Sequence, residues 1–598
     1  MSEYQAPLAD IDFVLDSIVD LTSISKLNGY QHADPDTVSG VLAEAGRFFA
    51  EVIAPTNRMG DLHGSRLVDG GVVTPDGFKD AYAKYVESGW AGVHSPEDWG
   101  GGGMPYSVGI AVQEMFKSAN MALSLCPLLT QAAIDALLEH GSDEQRALYL
   151  EKLITGEWTG TMCLTEAQAG SDVGALTTRA TRQDDGSYLI TGQKIFITWG
   201  DQDLTENIIH LILARTPDAA PGTKGISLFI VPKFLLDDQG KPGPRNNIEI
   251  VSLEHKLGIH GSPTCVVSFG TDEGGAVGYL VGEEQRGMKY MFTMMNVARV
   301  GVGIEGLALA ERAYQKAATF AAERIQGRTV EADAGVASPI IAHPDVRRML
   351  LTMRSYIEAM RALLYVTAAY ADRERHGETE ADRATAGELT ALLTPIAKAW
   401  CTDLGVEMTS IGLQVHGGMG YVEETGAAQF YRDARIAPIY EGTNGIQAMD
   451  LTMRKLPMRD GAVVAALIGE MQSVAGELAG VDGFGKAAHE LGDAVQTLAE
   501  TSAWLGSRLT AGAYNDALAG ATPYLKLFGT VVGGWLMARE ALAARGMLDT
   551  GRGDASFARA KLATTRFYLE QLVPTAAGGA AAVTAGSDVL YEADLTVR

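Results

Sequence analysis

A single switch of hydrophobic period constrains this chain more than any other feature. Up to about residue 158 apolar residues recur every three or four positions, as in PDTVSGVLAEAGRFFAEVIAP (35–55) and QAAIDALLEHG (131–141). The second run ends on a glycine, which suits a helix C-terminus. Between about 160 and 275 the pattern changes to short β-branched runs set off by turn residues: SYLITGQKIFIT, NIIHLILAR, GISLFIVPK and TCVVSFG. These predict antiparallel strands of a small β-domain. From about 283 to 455 long helical patterning returns. Beyond KLPMRDGA (455–462) the remainder is Ala/Leu/Gly-rich and again helical. The order predicts a mainly helical α+β chain. Its parts are an extension (1–35), a helical domain (36–159), a β-domain (160–282), a second helical domain (283–455) and an added helical domain (462–598).

Composition narrows the function. Lys and Arg number 48 against 74 Asp and Glu, a net charge of −26, which disfavours sequence-independent binding to nucleic acid. The four cysteines, Cys126, Cys163, Cys265 and Cys401, show neither CxxC spacing nor a paired histidine, so a disulfide scaffold and a zinc site are not expected. The opening MSEYQAPLADIDF has no basic and apolar leader pattern, and no run is read as approaching the ~20 apolar residues of a membrane span. A cytoplasmic enzyme without a metal site is the expectation.

Four segments carry candidate chemistry. Gly301, Gly303 and Gly306 spell GxGxxG, but inside an Ala/Leu/Val helical pattern rather than after a strand. Close helix packing is the better reading than a dinucleotide fingerprint. MCLTEAQAGSD (162–172) lies between a helix ending near Trp158 and the predicted first strand. Its small residues and the hydroxyls of Thr165 and Ser171 suit a phosphate or a polar ring edge, or equally an ordinary turn. In QKIFITWG (193–200) strand alternation puts Phe196 and Thr198 on one face, as in a ligand wall or a core strand. The last is Gln414–Asp450, where glycines 417, 418 and 420 follow a helix and Glu441 sits at a chain break behind Ile439 and Tyr440. Held in an apolar cleft such a glutamate could act as a base near neutrality; in solvent it would be an ordinary loop acid. His416 has both a ligand and a structural reading.

Taken in order, SPEDWGGGG, HGSDEQRALYLEKLITGEWTG, MCLTEAQAGSD, QKIFIT, EHKLGIHGSPTC, HPDVRRMLLTM, QVHGGMGY and IYEGTNGIQ resemble the acyl-CoA dehydrogenase family across 36–455. The resemblance implies an N-terminal helical domain, a central β-barrel and a C-terminal four-helix domain. It also implies FAD between the β-domain and the C-terminal helices, often with residues from a second subunit. Carried over by residue, Glu441 matches the catalytic base. Leu164, Thr165, Gly170 and Ser171 match the flavin loop, with Ser171 also near the CoA. Phe196, Ile197 and Thr198 match the stretch beside the isoalloxazine, Phe196 where Trp is common and Thr198 near flavin N5. Arg324 resembles the arginine that reaches the FAD diphosphate, although Gln326–Gly327 departs from the usual neighbouring pair. Gln414, Gly417 and Gly418, and then Thr443 and Asn444, match further FAD segments, and Arg299 a substrate-proximal arginine. Some members carry the base just before that arginine; here Ala298 stands there, which leaves Glu441.

The added tail points to a large bacterial subgroup with an extra helical domain. The opening YQAPLADIDFVLDSI looks like the same subgroup, and within it the expected substrate is 3-(methylthio)propanoyl-CoA, with medium- or long-chain fatty acyl-CoA as the alternative. The implied reaction is α,β-dehydrogenation of an acyl-CoA, with an electron-transfer flavoprotein as acceptor and a homodimer as the assembly. An acyl-CoA oxidase and a flavin-bearing DNA-binding relative are the rivals.

Overall fold

The computed structural model describes residues 4–271, 274–330 and 337–596. The chain falls into two compact units. The first comprises Met1–Ala6, Glu44–Met104 and Met115–Gly301, and the second Pro7–Ala43, Pro105–Glu114 and Val302–Arg598.

The first unit is built on an eight-stranded sheet. Its strands are β1 (Trp158–Cys163), β2 (Arg179–Arg182), β3 (Tyr188–Thr198), β4 (Asn207–Ala214), β5 (Ser227–Pro232), β6 (Ile248–Leu253), β7 (Thr264–Phe269) and β8 (Ala276–Val281). They run in the order β6-β7-β3-β8-β5-β4-β1, with β2 paired to β3. Every pairing in this sheet is antiparallel except β1 with β4, which is parallel. This corrects the all-antiparallel expectation. It also moves MCLTEAQAGSD, which follows a strand rather than preceding the first one. Trp158–Cys163 is buried at every position, which fits a parallel strand covered on both faces.

Alternation sorts the side chains of this sheet between two cores. Leu211, Leu213, Leu228 and Ile230 face the helices α1 (Met121–His140) and α2 (Asp143–Thr155). Ile212, Ala214, Phe229 and Val231 face inward. Cys163 on β1 and Ile250 on β6, from opposite ends of the strand order, share that inner cluster, so the sheet is strongly curled. Helix α1 is long and apolar enough to cross a membrane, contrary to the sequence expectation, but 89% of its apolar window is buried inside the protein. It packs against β1, where the Thr130 hydroxyl accepts from the Gly160 N–H at 3.0 Å.

The second unit is helical. Its long elements are the later part of α3 (Gly287–Glu323), α4 (Pro344–His376) and α5 (Glu380–Val415). The short α6 (Asn444–Asp450) follows, then α7 (Ala521–Thr550) and α8 (Ala555–Phe567) of the tail. Gly303 and Gly306 of the GxGxxG are packing residues, as the helical context implies. A Cβ on Gly303 would sit 2.7 Å from the Ala397 carbonyl, and one on Gly306 would overlap the Cys401 carbonyl. The tail docks by the same device: Gly529 and Gly533 on α7 let the Trp400 indole of α5 and the Tyr568 hydroxyl approach the helix backbone.

Charge is buried here as well. Arg361 on α4 is fully buried between Glu114 and Glu311, at 2.7 and 3.0 Å. Arg354 bridges Glu358 and Asp10, the latter on the short helix Leu8–Val14. Lys561 of α8 reaches Asp10 at 2.9 Å, Glu358 at 3.4 Å and Glu540 at 3.0 Å. Burial would raise the Asp10 carboxyl, but Lys561 and Arg354 outweigh it and hold it well below the usual range. Burial pushes the Glu540 carboxyl up to about 7 against the opposing pull of Lys561. Such a network costs desolvation and fixes geometry, and removing Lys561, which serves three acids, strands buried carboxylate charge.

Candidate active site

In the first unit the loop after β1 turns sharply, with reciprocal backbone hydrogen bonds between Glu166 and Ala169. The Glu166 side chain is the hub of this turn. One carboxylate oxygen accepts from the Thr178 N–H, the Thr178 hydroxyl and Lys194 Nζ, the other from the Thr177 N–H, the Thr177 hydroxyl and Gln168. Burial would raise this carboxyl, yet Lys194 and the surrounding donors hold it well below the usual carboxylate range. Lys194 is fully buried and also donates to the Leu164 carbonyl at 2.9 Å. The pair therefore sets the backbone of Leu164 and Thr165, while Gly170 and Ser171 stay exposed beside it.

Where β3 passes this loop it bulges. Lys194 pairs with Val267 and Ile197 with Cys265, so Ile195 and Phe196 together oppose Val266. Phe196 takes a left-handed φ of 57° and is 58% exposed, a large aromatic presented outward. Ile197 is buried in the inner core, which leaves only its backbone for a ligand. Thr198 is half-buried. Arg299, in the first unit's part of α3, is buried and donates from Nη1 to Asn296 at 3.3 Å.

In the second unit the informative feature is a strained turn. Glu441 is half-buried with φ 55°, and Gly442 follows at φ 81°. A non-glycine residue in this region costs about 1–3 kcal/mol and persists only where its surroundings over-determine it. They do so here. The Asn444 N–H donates to the Pro438 carbonyl at 3.0 Å, closing the turn. The Asn444 side chain accepts from the fully buried Lys398 and donates to the Ala399 carbonyl, Thr402 and Asp403, all on α5. The Thr443 hydroxyl caps α6 by accepting from the Ile446 N–H. Gln447, fully buried on α6, donates to the Gly442 carbonyl at 3.2 Å. Tyr440 donates through its hydroxyl to Glu305 on α3 at 2.5 Å.

The remaining expected residues of this unit lie on the surface. Gln414, Gly417, Gly418 and Arg324 are exposed. Gly417, at φ 58°, and Gly418 have nothing within 4 Å of where a Cβ would stand, and the same holds for Gly170 in the first unit. His416 is structural: its Nδ1 lies 2.7 Å from the Gly412 carbonyl and its ring packs on Phe320. Among the described residues no group of three His, Cys, Asp or Glu could hold a metal ion.

Glu166, Lys194, Glu305 and Gln447 were not singled out by sequence. A signal for Glu305 was available: one acid in the Gly/Ala/Leu run GIEGLALA of a buried helix demands a partner.

Four sequence models match the chain in succession. Three describe the N-terminal (39–157), middle (161–271) and C-terminal (285–456) domains of acyl-CoA dehydrogenase, and the fourth an acetyl-CoA dehydrogenase C-terminal-like region (467–594). The chain is 48% identical over 599 residues to a 3-methylmercaptopropionyl-CoA dehydrogenase of Ruegeria pomeroyi, covering 99% of this chain and 100% of that one. Two solved structures share its fold at 20% identity. One is Caenorhabditis elegans ACDH-11 in complex with C11-CoA (TM-score 0.77; 96% of this chain, 92% of that). The other is a Bacillus anthracis acyl-CoA dehydrogenase complexed with FAD (TM-score 0.72; 91% and 87%).

Proposed function

The chain belongs to the acyl-CoA dehydrogenase family, and from that premise we propose that Glu441 is the base of an FAD-dependent α,β-dehydrogenation acting on 3-(methylthio)propanoyl-CoA. The observation that carries the base is the strained, over-determined turn at Glu441. The substrate rests on the 48% identity to the Ruegeria enzyme over the whole chain, and a role in dimethylsulfoniopropionate catabolism would follow from it.

The α-proton of a thioester is weakly acidic, so its removal needs a positioned base, hydrogen bonds to the developing oxyanion and exclusion of water. Glu441 takes the proton, and its own backbone N–H serves as a donor to the thioester carbonyl. FAD, when bound, would supply the acceptor for the β-hydride. The residues fit such a cofactor. Gly170, Gly417 and Gly418 open onto space that a side chain would fill, and Phe196 offers an exposed aromatic face. Leu164, Thr165, Gly170, Ser171, Phe196 and Thr198 would hold the flavin, with Ile197 contributing backbone alone. Arg324, Gln414, Gly417, Gly418 and Thr443 would hold the remainder of FAD, and Asn444 acts by shaping the turn. Ser171 and Arg299 would meet the CoA substrate.

Electrons leave to an electron-transfer flavoprotein, the enzyme is cytoplasmic, and the assembly is a homodimer. The tail's α7 is occupied by α4 and α5 of its own chain, which leaves assembly to other faces.

The test is an anaerobic titration. The purified protein is expected to carry one FAD per chain and to bleach with 3-(methylthio)propanoyl-CoA faster than with butanoyl- or octanoyl-CoA. Faster bleaching by octanoyl-CoA would move the substrate to a fatty acyl chain. A folded protein that takes up no FAD would overturn the reading, and rapid reoxidation in air would replace the electron-transfer flavoprotein with oxygen.

A further inference from the structure

Family resemblance directs attention to position 298 on α3, where an alternative base would stand and Ala298 is found. Seven residues further along the same helix is a carboxylate that does reach the Glu441 turn. Glu305 is fully buried, between Gly303 and Gly306, the two glycines that press α3 against α5. Its Oε2 accepts from the Tyr440 hydroxyl at 2.5 Å, a short bond of the kind a charged acceptor makes. Tyr440 is the residue immediately before Glu441, so its side chain ties the backbone at the base to a buried part of α3 that lies against the α5 backbone.

We propose that Glu305 and Tyr440 form a strut that holds Glu441 in its left-handed conformation, making both of them positioning residues for the proton abstraction. The proposal rests on the reading of Glu441 as the base.

Three physical arguments support it. First, the left-handed φ of 55° at Glu441 is unfavourable by itself, so something must oppose relaxation to an ordinary conformation. After Glu441 the anchors are Gln447 and Asn444; before it the Tyr440 N–H reaches the Ile436 carbonyl, the Pro438 carbonyl receives the Asn444 N–H, and the Tyr440 hydroxyl ties this side to α3. Without the last, strain can relax on the N-terminal side. Second, the donor role of Tyr440 is secure. Burial, followed by the negative charges of Glu305 and Glu441, raises its phenol well above the ordinary value, so it keeps its proton throughout the working range. Third, α3 cannot yield at Glu305. A Cβ at Gly306 would already overlap the Cys401 carbonyl, and Gly405 of α5 is equally close to Gly306. The anchor point is therefore as rigid as two helices in backbone contact allow.

The strut is tested on the full-length holoenzyme by stopped-flow bleaching of the flavin with 3-(methylthio)propanoyl-CoA and, in parallel, butanoyl-CoA. Crotonyl-CoA binding, read from the flavin spectrum, reports the ground state. Tyr440→Phe, which removes one oxygen, is expected to slow bleaching by ~10–10²-fold through misplacement of the base. FAD content and the crotonyl-CoA Kd should stay within about twofold of wild type, a loss confined to the transition state. Glu305→Gln keeps an oxygen that accepts from Tyr440 and should recover most of the rate, whereas Glu305→Leu should fall to the level of Tyr440→Phe. The double variant Tyr440→Phe/Glu305→Leu should be no slower than either single change, because both remove one interaction. Wild-type bleaching by Tyr440→Phe overturns the strut, and so does a Glu305→Gln rate as low as that of Glu305→Leu. If Glu305→Leu loses its FAD, Tyr440→Phe and Glu305→Gln decide. Glu441→Gln is the separate control: bleaching at the wild-type rate there overturns the base itself, whatever the strut variants do.

Discussion

Glu166 and Glu441 are both glutamates on tight turns, one in each unit, and the fold treats them in opposite ways. Glu166 is saturated. Two threonine N–H groups, two threonine hydroxyls, Gln168 and the buried Lys194 all donate to its carboxylate, and it is held ionised far below neutrality. Its chemistry is spent on shape. At Glu441 the backbone of the turn is held in a left-handed conformation by the groups around it: Gln447 on the carbonyl that follows, the neighbouring tyrosine on Glu305 and the asparagine that closes the turn.

Exchanging each glutamate for its amide should separate them. Glu441→Gln should keep FAD and fold yet lose at least ~10²-fold in flavin bleaching by acyl-CoA, the share of a general base. Bleaching at the wild-type rate would erase the contrast. Glu166→Gln should do the reverse. It leaves Lys194 buried without its counter-charge, at a cost of about 3–5 kcal/mol, so denaturant unfolding should show a large loss of stability and of bound FAD. The flavin that remains should bleach at close to the wild-type rate; a slow but stable Glu166→Gln enzyme would give that residue a chemical role.

Glu441→Asp sharpens the contrast by withdrawing the carboxylate without neutralising it. Its bleaching rate should lie between those of Glu441→Gln and wild type, because proximity is lost while basicity is kept.

Glu540 gives the smallest effect. It is as buried as Glu305, and its folded pKa of about 7 lies above the ordinary 4.5. The proton it retains therefore contributes stability that is complete below about pH 4.5 and gone by about pH 7. Glu540→Gln should remove that dependence. Thermal melts should show the variant gaining on wild type as pH rises from 5 to 8, and a constant offset would show that Glu540 does not titrate in this window.

Local pattern carried the order of elements, the helical setting of the GxGxxG glycines and the break at Glu441, because each depends on neighbours in the chain. It failed where partners are remote. Trp158–Cys163, with Thr159, Gly160 and Thr161 among its apolar residues, reads as the end of a helix until Asn207–Ala214 pairs with it. Phe196 follows simple alternation until a bulge opposite Val266 turns it outward. Asn444 suits a cofactor contact in a motif, yet four groups on α5 engage its side chain. Glu305 and Tyr440 lie 135 residues apart, and no spacing rule connects them.

The buried ion network also bears on synthesis. Asp10 leaves the ribosome about 550 residues before Lys561, one of its two partners. At roughly 5–20 residues per second that is an interval of about half a minute to two minutes. Throughout it the helix Leu8–Val14 has an acid to bury and only part of its counter-charge available. The second unit cannot complete this buried network until Lys561 has been made. Nascent chains should accordingly stay protease-sensitive at their N-terminal helix well after the β-strands have paired, and truncation just before α8 should leave that helix exposed for good.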